Sequence, residues 1–126
     1  MPINVAPAFL RDSQILVVED EPLVSMMIED ALMEAGGHVI GPAGTAAEAL
    51  ELLHRATVDC AVLDIKLMNG SSQSVAEALA RRGIRFIVVT GVDEKQVPPE
   101  YNGAPIVQKV FAAHQLVDAV AAVLER

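Results

Sequence analysis

Ile15-Leu16-Val17-Val18-Glu19-Asp20-Glu21-Pro22 is the stretch that decides the fold. Gln14–Val18 reads as a short strand, and its unbroken aliphatic run suits burial on both faces of a parallel sheet. Three acidic residues end it. Pro22 then opens a helix, since proline fits the first helical position. Two later runs end in the same way: Ala61-Val62-Leu63 leads into Asp64, and Ile106-Val107-Gln108 leads into Lys109. In a parallel sheet such strand ends meet on one edge, where α/β proteins build their sites.

Working outward, strand and helix patterns alternate five times. The helix from Pro22 carries an apolar stripe of Leu23, Met26, Met27, Ala31 and Met33, predicted to face the core, and Gly36-Gly37 ends it. His38–Ile40 is a brief strand, and Gly41-Pro42-Ala43-Gly44 turns into a second helix. Thr45 with Glu48 three residues on forms a capping-box pattern there. That helix is predicted to reach about Arg55 with Ala46, Leu50 and Leu53 inward. A strand over Asp59–Leu63, a loop over Met68–Ser71 and a helix from about Ser72 to Arg82 follow, with Val75, Ala78 and Leu79 inward and Gly83 as the stop. Phe86–Thr90 is the fourth strand. Pro98-Pro99 limits the stretch from Gly91 to Ala104 to one or two turns. Pro105–Gln108 is the fifth strand, and a last helix spans about Ala112 to Glu125. The alternation predicts a parallel sheet with helices on both faces. A loose N-terminal arm over 1–12 precedes one domain over 13–126.

Composition narrows the function. The 126 residues carry a formal charge of −8, which argues against a nucleic-acid surface. Arg81, Arg82 and Arg85 form the one basic knot, read as a solvated helix end. Cys60 is the single cysteine, so no internal disulfide is expected, and it reads as a small core residue. No apolar run approaches the ~20 residues of a membrane span. No secretory leader is recognisable in residues 1–12, and a cytoplasmic location is expected. His38, His54 and His114 lack metal-ligand spacing and read as surface or edge-of-core residues. No glycine-rich phosphate loop of the dinucleotide or P-loop kind occurs.

The strand-end residues carry the chemistry. Glu19, Asp20 and Asp64 crowd negative charge on the edge, which is unfavourable unless a cation sits among them. An oxygen-only ligand set suits Mg²⁺. Asp64 interrupts an apolar run, and a carboxylate in such a place can form an aspartyl phosphate. Thr90 ends a β-branched run and could donate its hydroxyl to a phosphoryl oxygen, while Gly91 next to it admits the group. Lys109, one of three lysines, can neutralise phosphoryl charge.

These motifs resemble the receiver domain of two-component response regulators. The matching stretches are Val17-Val18-Glu19-Asp20-Glu21-Pro22, Leu63-Asp64-Ile65-Lys66-Leu67, Val88-Val89-Thr90-Gly91 and Gln108-Lys109-Val110-Phe111. The resemblance implies a flavodoxin-like five-stranded parallel sheet of order 2-1-3-4-5. It implies that Asp64 accepts a phosphoryl group from a histidine kinase or a histidine phosphotransfer protein. Asp20, Asp64 and the Lys66 backbone carbonyl would bind Mg²⁺, with Glu19 acting mainly through water. Thr90 and Lys109 would hold the phosphoryl oxygens. No enzyme activity is expected beyond self-phosphorylation and slow self-dephosphorylation.

Two positions depart from the receiver pattern. Val110 follows the lysine where proline is usual, so a cis bond is not expected there. Ile106 stands where many receivers carry an aromatic switch residue. The chain therefore resembles an atypical stand-alone subgroup found in alphaproteobacterial signalling, whose signal would leave through a downstream protein partner or a phosphorelay. Two other readings stay open: a receiver-fold binding module independent of phosphorylation, and a small phosphatase with an aspartyl-phosphate intermediate. The second normally requires a further aspartate two residues after the nucleophile, where Lys66 stands.

Overall fold

The computed structural model describes residues 10–101 and 103–125. Its main sheet has five parallel strands, β1 (Gln14–Val18), β2 (His38–Ala43), β3 (Cys60–Asp64), β6 (Arg85–Thr90) and β7 (Ile106–Gln108), in the order β2-β1-β3-β6-β7. Counted along the chain, this is the 2-1-3-4-5 order of the flavodoxin-like class. The register aligns the carboxyl ends of the inner strands. Val18 pairs with Leu63, Asp64 with Val89, and Thr90 with Gln108.

Alternation along each strand feeds two cores. Ile15, Val17, Cys60, Val62, Ile87, Val89 and Val107 face α1 (Pro22–Glu34) and α4 (Ala113–Leu124). Leu16, Val18, Ala61, Leu63 and Val88 face α2 (Ala46–Arg55) and α3 (Gln73–Arg81). Cys60 is fully buried, and burial pushes its thiol up to about 12, as befits an inert core residue.

Helix α1 corrects one expectation. It buries Ser25, Ile28, Ala31 and Leu32. Leu23, Met26, Met27 and Met33, predicted to face inward, are exposed, Leu23 by 75%. The helix is apolar over most of its girth, so two faces satisfy helical spacing and periodicity alone does not choose between them. The sheet takes the branched face of Ile28 and Leu32. On α2 the buried residues are Ala49 and Leu53, with Ala46 and Leu50 only partly covered. Its cap is as predicted: Glu48 N–H donates to Thr45 Oγ1 at 3.1 Å.

The connections hold further detail. Around the predicted loop, β4 (Lys66–Leu67) and β5 (Gly70–Ser71) pair as a short antiparallel ladder. The irregular stretch forms two single-turn 3-10 helices, Glu94–Gln96 and Pro99–Tyr101. Arg82 is not merely solvated: its guanidinium donates to Leu53 O at 2.8 Å and ties the end of α3 to α2. His38, His54 and His114 are all exposed. Of the predicted arm, residues 1–9 lie outside the described residues, whereas Leu10 is fully buried and donates its N–H to Ala35 O at 3.1 Å.

Candidate functional site

The turn after β1 builds the acidic side of the site. Glu19 N–H donates to Ala43 O at 2.9 Å, which extends the β1–β2 ladder by one residue. The Glu19 side chain, fully buried, folds back so that Oε2 accepts the Glu21 N–H at 3.2 Å. Glu21 precedes α1 in extended conformation, and Pro22 takes the first helical position. Asp64, the last residue of β3, is 6% exposed. Among the described residues, Glu19, Asp20 and Asp64 each offer a carboxylate oxygen within 4.8 Å of the others.

Lys109 crosses to this cluster from the end of β7. Its backbone N–H donates to Thr90 O at 2.9 Å, which fixes its base. Its ammonium donates to Asp64 Oδ2 at 3.1 Å and to Glu21 Oε1 at 2.9 Å. Glu19 Oε1 lies 3.3 Å from the same nitrogen but outside hydrogen-bond geometry, so this buried oxygen has no donor. Burial, and next the charge of Asp64, push the Glu19 carboxyl up to about 7. Burial pulls the Lys109 ammonium down, but its hydrogen bonds to Glu21 and Asp64 and the nearby carboxylates outweigh this and raise it overall. Several acids thus share one cation, and one buried acceptor oxygen is orphaned. Oxygen donors at that spacing, with an unsatisfied oxygen among them, fit a hard cation such as Mg²⁺.

The remaining predicted residues fall around this cluster. Thr90, 2% exposed, stands one residue past the Val89 partner of Asp64, and its Oγ1 accepts the Val92 N–H at 3.2 Å. Gly91 is exposed, and a Cβ added to it would meet nothing within 4 Å. Lys66 turns its side chain to solvent while its backbone pairs with Ser71. The Lys109–Val110 peptide is cis, contrary to the expectation drawn from valine, and Val110 is exposed.

Three contributors escaped the sequence reading. Glu21 was visible only as part of the acidic run, and its bond to Lys109 spans 88 residues. Ser72 looked like a helix start, yet its side chain makes no cap. Its hydroxyl instead donates to Asp64 O at 2.5 Å and lies 2.9 Å from Tyr101 Oη.

Comparison with known proteins finds the same fold and a family. The family model described as "Response regulator receiver domain" matches residues 15–121. The solution structure of SdrG from Sphingomonas melonis Fr1 is similar with a TM-score of 0.79 and 38% identity, over 96% of this chain and 99% of that one. The crystal structure of the response regulator PhyR from Brucella abortus gives a TM-score of 0.80 and 29% identity, over 94% of this chain and 51% of that one. The transcriptional regulatory protein PdtaR of Mycobacterium tuberculosis is 27% identical over 117 residues, which are 90% of this chain and 57% of that protein. The chain thus spans little more than half the length of that curated relative.

Proposed function

The chain belongs to the response regulator receiver family, and from that premise we propose that it accepts a phosphoryl group on Asp64 and passes the signal to a protein partner. The observation that carries this is the meeting of the Glu19, Asp20 and Asp64 carboxylates with the Lys109 ammonium at the carboxyl edge of the sheet. The donor is a phosphohistidine of a histidine kinase or of a histidine phosphotransfer protein. An Asp64 carboxylate oxygen attacks phosphorus; the O–P bond forms as the P–N bond breaks, and the electron pair stays on the donor's imidazole nitrogen.

Asp20, Asp64 and the Lys66 carbonyl would hold Mg²⁺, with Glu19 acting mainly through water, and the ion would supply positive charge to the phosphoryl oxygens. Lys109 holds the Asp64 carboxylate by its hydrogen bond, and it offers its ammonium to the charge that arrives. Thr90, whose Oγ1 accepts the Val92 N–H, donates its own hydroxyl proton to a phosphoryl oxygen, with Gly91 leaving the approach clear. Incubation with radiolabelled acetyl phosphate tests this reading. It predicts a Mg²⁺-dependent label released by hydroxylamine, as an acyl phosphate is; a hydroxylamine-stable label would contradict it.

A further inference from the structure

Ser72 and Tyr101 link the Asp64 backbone to the far end of the irregular segment. Ser72 is fully buried and Tyr101 is 2% exposed. The Ser72 hydroxyl has one proton and gives it to Asp64 O. Its 2.9 Å contact with Tyr101 therefore runs the other way: the phenol donates to Ser72 Oγ. Ser72 N–H also donates to Ile65 O at 3.0 Å. One serine thus clamps both residues that lead from the acceptor aspartate into the Lys66 turn.

The tyrosine end is equally fixed. Its ring meets Phe86 edge-to-face at 6.5 Å, and it packs in the core shared with α2 and α3. Tyr101 closes the second 3-10 helix, and its carbonyl accepts the Ala104 N–H at 3.0 Å. The segment from Gly91 to Tyr101 is therefore tied to the site at both ends, by Thr90 Oγ1 to Val92 N–H and by Tyr101 through Ser72 to Asp64. Ile106 offers no aromatic ring on β7 to do this.

Resting on the phosphoacceptor reading above, we propose that Ser72 and Tyr101 are positioning residues: they set the Asp64 backbone and carry its loading to the Gly91–Tyr101 segment. Loading that moves the Asp64 loop alters the bond that the phenol makes, and partners that contact the segment sense it.

Tyr101 is the single tyrosine and the chain has no tryptophan, so its near-ultraviolet band is a built-in probe. The test titrates Mg²⁺ and beryllofluoride into the full chain while fluorine NMR measures bound beryllofluoride independently. The wild type is expected to shift the tyrosine band with the same midpoint as the fluorine signal. Ser72→Ala is expected to lose that shift while still binding, about five-fold more weakly. Tyr101→Phe, which keeps the ring, is expected to weaken loading by a similar factor and serves alone if Ser72→Ala does not fold. Full loading with a silent tyrosine, or an unchanged midpoint in Tyr101→Phe, overturns the proposal. A wild type that binds no beryllofluoride overturns the phosphoacceptor reading and this inference with it.

Discussion

Lys109 Nζ stands 3.1 Å from Asp64 Oδ2, across 45 residues of sequence, and the same ammonium bonds Glu21 Oε1 at 2.9 Å. One cation therefore restrains carboxylates delivered by two other strand ends. Lys109→Met removes it and leaves Glu19 and Asp64 facing each other under cover. With buried acceptors left without their donor, the variant is expected to lose about 1–3 kcal/mol of metal-free stability, read from denaturant midpoints. Calorimetric titration should show it binding Mg²⁺ more tightly than wild type, because no ammonium competes for the acids.

Asp64→Asn acts in the opposite direction. It removes one of the crowded charges and so relieves Glu19. Its metal-free melting temperature should exceed that of wild type. Mg²⁺ at ten times its dissociation constant should add about 1.4 kcal/mol to wild type and much less to the variant. Thermal melts with and without Mg²⁺ check both statements.

The raised Glu19 carboxyl fixes a pH dependence. Its folded value of about 7 exceeds its ordinary 4.5, so the folded chain holds the extra proton between those values. Its contribution to stability is complete below about 4.5 and is lost as pH rises through about 7. The loss is at most about 3 kcal/mol. Lys109, raised above the ordinary lysine range, keeps its charge throughout that window. Metal-free wild type should therefore lose stability between pH 5 and pH 8 relative to Glu19→Gln, and saturating Mg²⁺ should flatten the difference.

Helix α1 gives a prediction about packing. Leu32→Ala cuts into a fully buried site and should cost about 2–5 kcal/mol. Met26→Gln, on the exposed face, should stay within about 0.5 kcal/mol of wild type. Chemical denaturation of the two variants separates the faces.

This contrast shows what the sequence could carry. Asp64 and Lys109 were legible because each ends an apolar run, and parallel pairing sends such ends to one edge whatever the loops do. The strand order came from the family resemblance rather than from periodicity. Met26 and Met33 were misread because α1 is apolar on both sides and only the sheet chooses between them. Ser72 and Tyr101 were invisible for another reason: their bond crosses 29 residues, and neither belongs to a local pattern that announces it. Glu21 could have been suspected, since a strand-end lysine opposite three consecutive acids has to choose among them.

The central claim is phosphorylation of Asp64. The most direct test is intact mass after incubation with acetyl phosphate, with and without Mg²⁺, on wild type and Asp64→Asn. One added phosphoryl group on wild type alone, and only with Mg²⁺, is the predicted result. An equal addition on Asp64→Asn, or none on wild type in the presence of Mg²⁺, would contradict it.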